Sequence, residues 1–414
     1  MREALIVGGA NGIGLAIATL LAEDERFGRI HIVDRTEVAE EHRNTKFVFT
    51  RFDLRAEDYS IFDTFNDVDT LIITAGFGRL AHFADVEEQH IVDSFDVNSI
   101  APLRIIHHLY YNYTHELFER TFVQDTYSCI PGRGTHYGIE RLKRHILTES
   151  NNYGRRCWAM SLDIRGYFMH IDRNILLGIA TDTIKRMATH SIDGTATTWQ
   201  DVIDIPFVLW MTEKIIMLDP KSSCKIVGKP EEWEGLDLNK SLFHTPDGCG
   251  LPIGNLTSQL FSNVYLNAFD QHMKRDLRCR HYGRYVDDAY VVSTDKEWLL
   301  SLIPQIDCFL QERLHLQLHR GKTQLREVSQ GVEFLGGFVK PHRTYMSHHA
   351  EQRLRRSVER LPMNKPDKLF RSVNAMLGVL AHYDSHRLRH ELFDTDAFHR
   401  VGYFDRDMTQ FFLR

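Results

Sequence analysis

Two adjacent acidic residues interrupt an apolar stretch of the chain, and this strongly restricts how the stretch can fold. Asp287 and Asp288 lie within residues 285–292 (YVDDAYVV), whose aromatic and β-branched side chains predict two strands joined by a tight turn. Neighbouring carboxylates in apolar surroundings repel each other and lose hydration unless a cation neutralises both. Oxygen ligands of this kind suit Mg²⁺. An isolated Asp-Asp pair is more often a solvent-exposed turn, so the rest of the chain must decide between the two interpretations.

Two further segments favour the metal-site interpretation. Residues 157–164 (CWAMSLDI) form a largely apolar strand candidate with an acid near its end, Asp163, and Phe168 follows five residues later. Residues 251–260 (LPIGNLTSQL) predict a helix that begins after a Pro and Gly turn. In order and spacing, the three segments resemble the palm motifs of reverse transcriptases, D-x-x-x-x-[FY], G-x-x-x-S-[PQ] and Y-x-D-D. The resemblance implies a template-directed DNA polymerase.

The resemblance to reverse transcriptases extends on both sides of these motifs. Residues 128–136 (SCIPGRGTH) resemble the loop and helix start of the fingers, and residues 334–337 (FLGG) resemble the hairpin that grips the primer end. Residues 370–390 predict one amphipathic basic helix, like the thumb of bacterial enzymes. The implied fold is an α+β right-hand polymerase, with partial fingers and palm over residues 104–340 and a helical thumb region over residues 341–414.

One motif narrows the type of reverse transcriptase. Residues 253–259 have the form I-G-x-x-x-S-Q, which departs from the retroviral form Gln-Gly-x-x-x-Ser-Pro. It resembles the enzymes of diversity-generating retroelements, which copy a template RNA with errors at adenines; group II intron and retron enzymes are the alternatives. The family implies magnesium as cofactor and an RNA template, a DNA primer and deoxynucleoside triphosphates as partners. A basic accessory protein is a further candidate partner.

The resemblance also implies roles for the matching palm residues. The expected metal ligands are the carboxylates of Asp163, Asp287 and Asp288 and the backbone carbonyl of Ile164, holding two ions for nucleotidyl transfer. Phe168 is expected to lie beneath the incoming sugar and to exclude a 2′-hydroxyl, the group that distinguishes RNA from DNA.

Four other residues are expected to contact the nucleotide or the template: Gly254, Ser258, Gln259 and Lys322. Gly254 would let the motif helix approach the templating base pair, and Gln259 would contact the template base or its sugar. Lys322 is a candidate proton donor to pyrophosphate. Alternatives stay open for two of them, because a polar residue near a helix N-terminus and an exposed lysine are both common without a function.

The beginning of the chain has a different pattern: strand, glycine loop, helix and strand. Residues 4–7 are an apolar strand candidate, residues 8–14 (GGANGIG) a glycine loop, and residues 15–22 a helix-forming run. Glycines in this context let backbone N–H groups approach a pyrophosphate at the helix N-terminus. Asp34 ends the second strand twenty residues after Gly14, where a carboxylate can bond a ribose hydroxyl.

This pattern resembles the short-chain dehydrogenase/reductase family over residues 1 to about 103. The matching positions are Gly8, Gly12, Gly14, Asp53-Leu54, Thr74-Ala75-Gly76 and Asn98. The resemblance implies a truncated, half-Rossmann α/β segment with Gly8, Gly12, Gly14 and Asp34 as the candidate NAD(P) site; an inert loop is the alternative. The Tyr-x-x-x-Lys pair that donates a proton in that family occurs nowhere downstream, so dehydrogenase activity is not expected.

Charge is distributed unevenly between these two regions. Residues 1–104 carry 10 basic and 19 acidic side chains, a net charge of −9, which leaves 40 basic and 37 acidic side chains and a net charge of +3 for residues 105–414. Phosphate binding depends on Lys and Arg, so the overall charge of −6 hides a region suited to nucleic acid. Such a step between segments predicts two units with different partners.

Composition excludes several classes of protein. No run of eighteen apolar residues occurs and the first apolar stretch leads into glycines, so a cytoplasmic protein without a membrane span is expected. Six cysteines show no C-x-x-C pair and no zinc spacing. The acidic segment stands where basic fingers residues usually clamp the nucleotide triphosphate, which predicts impaired polymerase activity. The alternative function is a catalytically defective scaffold that binds nucleic acid or NAD(P).

Overall fold

The computed structural model describes residues 1–76, 93, 96–221, 235, 237 and 241–414. The chain forms two compact units. The first unit comprises Met1–Arg120, Thr181–Ile215 and Ile253–Phe261, and the second comprises Thr121–Ala180, Ile216–Pro252 and Ser262–Arg414. No helix in the described ranges is long and apolar enough to cross a membrane. Cys224 lies outside the described residues, and the other five cysteines are free thiols.

The described ranges contain both α-helices and β-strands, numbered here in chain order. The helices are α1 (Gly12–Glu23), α2 (Ala101–Glu119), α3 (Thr135–Glu149), α4 (Tyr167–His170), α5 (Arg173–Met187), α6 (Trp199–Val202), α7 (Ile205–Met217), α8 (Leu256–Gln271), α9 (Lys296–Leu314), α10 (His348–Glu359), α11 (Pro366–Leu380), α12 (His386–Phe393) and α13 (Asp396–Val401). The strands are β1 (Arg2–Val7), β2 (Phe27–Asp34), β3 (Phe47–Arg51), β4 (Thr70–Ile73), β5 (Trp158–Leu162), β6 (His281–Tyr285), β7 (Asp288–Ser293), β8 (Gln324–Glu327), β9 (Val332–Phe334), β10 (Gly337–Lys340), β11 (Arg343–Met346), β12 (Gly402–Phe404) and β13 (Phe411–Leu413).

A parallel sheet in the order β3-β2-β1-β4 forms the centre of the first unit. Residues 4–7 of β1 are buried, as expected for an inner strand of a parallel sheet covered on both faces. Helix α1 follows the glycine loop, so the predicted strand, glycine loop and helix are confirmed. The predicted α/β half-Rossmann segment is therefore present.

Helix α2 carries the junction between the two sequence patterns. Near its start, Ile105 and Leu109 pack in one apolar cluster with Leu5 and Val7 of the sheet. Near its end, the ring of Phe118 lies 6.3 Å from that of Phe261, which also belongs to the first unit. The predicted boundary near residue 104 thus lies inside a continuous helix with buried residues along its length.

An antiparallel sheet in the order β6-β7-β5-β8 forms the centre of the second unit. Helix α3 covers one face, where Ile139, Leu142 and Ile146 pack with Ala159 of β5 and Val292 of β7. The strand predicted to precede Asp163, the hairpin predicted around Asp287 and Asp288, and the helix start predicted near residue 135 are all confirmed. Helices beside an antiparallel sheet agree with the α+β polymerase fold implied by the sequence.

The C-terminal part of the second unit contains two small sheets, β9-β10-β11 and β12-β13, and four α-helices. Strands β9 and β10 form the predicted hairpin, and β10 also pairs with β11. The prediction of one helix over residues 370–390 is wrong, because α11 ends at Leu380 and α12 begins at His386. The hydroxyl of Ser385 donates to the carbonyl of Leu380, and the backbone N–H of Asp384 donates to Thr344 of β11. These bonds end the first helix and fix the turn.

Candidate active site

The turn between β6 and β7 presents two of the predicted carboxylates. Tyr285 pairs with Asp288, which leaves Val286 and Asp287 as a two-residue turn. Val286 has a φ of +54°, at a turn position where hairpins generally favour glycine. Asp287 is partly buried at this turn, and Asp288 is exposed at the first position of β7.

The third predicted carboxylate lies at the same edge of the sheet. Strand β5 pairs antiparallel with β7 and the last pair is Leu162 with Ala289, so Asp163 and Asp288 fall one step further along the same register. This pairing brings Asp163 next to the turn that carries Asp287. Asp163 and the adjacent pair Asp287 and Asp288, which are far apart in sequence, therefore lie at one edge of the sheet.

Crowding of these acids changes their proton affinity. Burial, followed by repulsion from Asp163, raises the pKa of Asp287. Although Asp288 remains accessible to solvent, the surrounding protein displaces part of its hydration; this, followed by repulsion from Asp287 and Asp163, raises its pKa to about 6. Lys322 counters the repulsion, since its Nζ lies 2.8 Å from Oδ2 of Asp163, and this contact raises the pKa of the lysine.

The backbone next to Asp163 offers a further oxygen. Ile164 faces Leu318 in an antiparallel bridge, and the flanking bonds run from Arg165 N–H to Gln317 and from His319 N–H to the carbonyl of Asp163. This is the non-hydrogen-bonded type of pair, so the Ile164 carbonyl points away from residues 317–319. The carbonyl oxygen of Ile164 is therefore not used in this strand pairing and can serve as a metal ligand.

The donor set at this edge fits a hard divalent cation. Three carboxylates and a backbone carbonyl supply only oxygen, the ligand type that Mg²⁺ prefers. In the described ranges, no three acidic, histidine or cysteine side chains are gathered closely enough to hold a metal ion. Asp163 contacts Lys322 instead. A bound ion would therefore have to draw the carboxylates closer together and displace the ammonium group.

Phe168 is fixed within the same unit as the three acids. It lies on α4, which follows Gly166 in the left-handed region, and its backbone carbonyl accepts a hydrogen bond from Leu251 N–H at 3.0 Å. The ring of Phe168 lies 5.3 Å from that of Tyr167, whose buried hydroxyl donates to the carbonyl of Ser262. The half-buried phenyl ring is thus held by a rigid local framework.

The second motif belongs to the first unit. Gly254 has a φ of +105°, with open space around the position of a Cβ atom, and α8 begins two residues later as predicted. Ser258 is buried and Gln259 is half-buried on this first turn. The backbone N–H of Gln259 donates to the carbonyl of Asn255.

The glycine loop of the first unit has the close backbone contacts of a dinucleotide-binding turn. A Cβ atom at Gly14 would lie 2.1 Å from the carbonyl oxygen of Gly8, and Gly8 and Gly12 have φ values of +86° and +55°. Asp34 follows at the end of β2, where its carboxylate accepts hydrogen bonds from the N–H groups of Ala10 and Thr36. The predicted site residues Gly8, Gly14 and Asp34 are thus brought together around this loop.

A buried ion pair that was not predicted from the sequence lies at the hairpin that carries Asp287 and Asp288. Arg284 and Asp270 are both 0% exposed and form a two-point contact at 2.6 and 2.7 Å. A signal for it exists in the sequence: Arg284 lies two residues after Tyr282 on one face of β6, and Asp270 lies seven residues after Asn263 on one face of α8. Polar residues that share one face in this way indicate a buried hydrogen-bond network rather than a solvent-exposed surface.

Comparison with known proteins gives two family matches along the chain. The model of the reverse transcriptase (RNA-dependent DNA polymerase) family matches residues 102–338, and the model of the short chain dehydrogenase family matches residues 2–115. The two matches overlap over residues 102–115, which lie within helix α2. Both predicted resemblances, and their fusion in one chain, are confirmed.

Individual relatives are more distant. Protein YkfC of Escherichia coli (strain K12) is 23% identical over 295 residues, covering 63% of this chain and 65% of YkfC. A short chain dehydrogenase family protein from Francisella tularensis is 17% identical, with a TM-score of 0.23 over 37% of this chain and 64% of that one. Apo telomerase from Candida tropicalis, truncated from its C-terminal domain, is 12% identical, with a TM-score of 0.40 over 65% of this chain and 49% of that one.

The chain thus spans about half to two thirds of the length of these relatives. Because the reverse transcriptase model covers more than half of its residues, the chain belongs to the reverse transcriptase (RNA-dependent DNA polymerase) family.

Proposed function

We propose that the chain is an RNA-directed DNA polymerase that uses two Mg²⁺ ions for nucleotidyl transfer. The observation that carries this proposal is the meeting of Asp163, Asp287 and Asp288 at one sheet edge, where burial and mutual repulsion raise the pKa of the latter two. When bound, the ions would activate the primer 3′-hydroxyl and stabilise the leaving pyrophosphate. An RNA template, a DNA primer and deoxynucleoside triphosphates are the proposed partners.

The chain's own residues have distinct roles in this proposal. Asp163, Asp287, Asp288 and the Ile164 carbonyl would hold the ions. Lys322 carries a proton at Nζ, which the raised pKa retains at neutral pH, and donates it to the leaving group. Nothing in this set requires a further cofactor.

Residues outside the carboxylate edge would select the substrates. Phe168 provides the wall against a 2′-hydroxyl. Gly254, Ser258 and Gln259 form the turn and helix start that contact the template base pair. These assignments rest on the motif positions and on the ordered local structure around each motif.

A finer assignment concerns the type of reverse transcriptase and its level of polymerase activity. The I-G-x-x-x-S-Q form of residues 253–259 supports a diversity-generating retroelement enzyme, with residues 341–414 as its thumb region. We further propose reduced activity, because the acidic segment of residues 1–103 stands in place of the fingers residues that clamp the triphosphate. A basic accessory protein would offset the charge of −9 in residues 1–104.

Primer extension on an RNA template with Mg²⁺ tests the polymerase proposal. Wild type is expected to extend the primer, and Asp287→Asn to lose extension, since one metal ligand loses its charge. Asp367→Asn is a matched control, because Asp367 is an exposed aspartate in the first turn of α11. Equal extension by wild type and Asp287→Asn would remove the proposal, and loss in both variants would point to a general charge effect.

The glycine loop supports a second, independent function, which is NAD(P) binding without hydride transfer. The carrying observation is the contact geometry of Gly8, Gly14 and Asp34, a loop shape suited to a pyrophosphate. Isothermal titration of NAD and NADP into the whole protein measures binding, which Gly14→Ala should abolish, since its Cβ collides with the Gly8 carbonyl. Alcohol oxidation that depends on NAD would contradict the proposal that the chain binds NAD(P) without hydride transfer.

A further inference from the structure

The turn that carries Asp287 has a backbone conformation that its residue type disfavours. Val286 has a φ of +54°, in the left-handed region, and its side chain branches at Cβ. A β-branched residue stays in this region only where the surrounding structure holds it there. The position of the Asp287 carboxylate depends on this turn, because Asp287 is the next residue.

Two side chains bind the backbone of Val286 from opposite ends. Its N–H donates to Oγ of Ser128 at 3.1 Å, and its carbonyl accepts from Nη1 of Arg284 at 2.8 Å. Both side chains are fully buried. The two bonds therefore restrain the rotation of the peptide groups on either side of the disfavoured φ.

These two side chains are themselves held by a closed polar network. The Asp270 carboxylate accepts hydrogen bonds from Nε and Nη2 of Arg284. It also accepts from the hydroxyls of Tyr282 and Thr126. A buried guanidinium requires such compensation, because an unpaired charge in the interior is strongly unfavourable. Asn263 accepts a hydrogen bond from Arg284 at 3.3 Å.

Asn263 also links this ion pair to Ser128. Its amide N–H donates to the Ser128 carbonyl at 2.7 Å, and its amide oxygen accepts from the Ser128 hydroxyl at 3.1 Å. With its proton committed to Asn263, the Ser128 oxygen is left oriented to accept from Val286. The hydroxyl is thus fixed as an acceptor and cannot act as a donor toward the turn.

We propose that Ser128, oriented by Asn263 and assisted by Arg284, is a positioning residue that fixes the Val286 turn and thereby the Asp287 carboxylate. This inference rests on the proposed metal-dependent polymerase function. Ser128 does not contact a reacting atom. Without it the turn relaxes away from the left-handed conformation, and the Asp287 carboxylate leaves the position from which a divalent ion can draw it toward Asp163.

The test compares Ser128→Ala with Ser150→Ala. Ser150 is a matched control, because it is equally buried in the same unit and its hydroxyl likewise accepts from a backbone N–H, that of Tyr153, whose φ is +63°. Three quantities are measured on the whole protein: hydrogen exchange of the Val286 amide without metal, the Mn²⁺ affinity by electron paramagnetic resonance, and the rate of primer extension.

Ser128→Ala is expected to speed exchange at Val286 and to lower Mn²⁺ affinity and extension by about tenfold each, whereas Ser150→Ala leaves all three at the wild-type level. Val286→Gly provides a rescue, because glycine adopts a positive φ without strain. In that background, the additional Ser128→Ala change is expected to reduce Mn²⁺ affinity and extension by less than about threefold.

The following results would overturn the inference. Unchanged exchange at Val286 would show that Ser128 does not hold the turn, and equal losses in the two serine variants would show a general packing effect. Failure of the polymerase proposal is distinguished by wild type and Asp287→Asn giving equal extension. In that case Mn²⁺ affinity alone decides, and a value unaltered by Ser128→Ala would remove the positioning role.

Discussion

Lys322 and Asp163 form an ion pair across the carboxylate edge, with Nζ 2.8 Å from Oδ2. The lysine lies in the turn after residue 319, which is bonded to the backbone of Asp163 through His319 N–H. The ammonium group therefore faces the place where a cation is proposed to bind. It acts as a counter-charge to the acids and is also the proposed proton donor.

Replacing Lys322 is expected to separate these two roles. Lys322→Gln removes both the counter-charge and the proton, so Mg²⁺ affinity should rise while kcat falls by about tenfold to a hundredfold, with KM changing less. Single-turnover extension and Mg²⁺ titration measure the two effects. Lys340→Gln, at the exposed last position of β10, is the control. A Lys322→Gln variant with wild-type kcat would show that the lysine is only a surface charge.

Phe168 is expected to control the choice between deoxynucleotides and ribonucleotides. Phe168→Ala removes the ring proposed to face the 2′-hydroxyl, so the preference for dATP over ATP should fall by about tenfold or more. The ratio of kcat/KM for the two nucleotides is the measurement. Phe370→Ala, at an exposed phenylalanine of α11, is the control. An unchanged ratio in the Phe168 variant would refute the assignment.

The free energy of unfolding of the second unit is expected to decrease as the pH is lowered, because of one histidine. Burial lowers the pKa of His145 to about 4, outweighing the neighbouring Asp125, which favours the charged form. The charged and titratable groups around the ring are Asp125, Arg141, Lys274, His281 and Tyr290. Below its usual pKa of about 6.5, the unfolded chain binds a proton that the folded chain does not.

The stability contributed by neutral His145 is therefore complete above pH 6.5 and is lost as the pH falls toward 4. At pH 5 the loss should be about 2 kcal/mol. Urea unfolding at pH 7 and pH 5 measures it, and His145→Gln should reduce the difference between the two pH values. His190→Gln, at an exposed position, should leave the difference unchanged. An equal pH dependence in wild type and His145→Gln would contradict the prediction.

Removal of residues 1–103 is expected to destabilise what remains of the first unit. Ile105 and Leu109 of α2 are buried against the parallel sheet, and truncation would expose them to water. The truncated protein should aggregate or lose the cooperative unfolding of that unit, as followed by light scattering and calorimetry. In the full chain, Ile105→Ala should cost about 2–5 kcal/mol. A soluble truncation with an unchanged melting temperature would contradict this prediction.

Local patterns predicted much of the fold. The glycine loop before α1, the apolar strand before Asp163 and the hairpin at Asp287 each depend on neighbouring residues in the sequence, and each is present. The break between α11 and α12 was missed because it depends on Asp384 bonding to Thr344, forty residues away. Helical periodicity does not report such distant contacts.

For the candidate site, the structure shows only where the predicted residues lie. Motif spacing identified Asp163, Asp287 and Asp288, and the sheet register accounts for their meeting. The residues that hold the hairpin were not identified, because Arg284 and Asp270 are charged and charged residues are generally expected at the surface. Their positions on the same strand and helix faces as Tyr282 and Asn263 are a signal for burial, and the structure shows that β6 and α8 supply each other's partners.

Helix α2 has a consequence for how such a chain can arise. The two family matches overlap within it, so the change from one sequence pattern to the other falls in a helix and not in a loop. Each residue of an α-helix advances its side chain by about 100° around the axis. Insertion of one residue after Leu109 would rotate the face that carries Phe118 away from Phe261. Insertion of seven residues, about two turns, would nearly restore the direction of that face while lengthening the helix. Only a join in the right rotational phase leaves both faces of the helix buried, so helical geometry restricts where the two patterns can be joined.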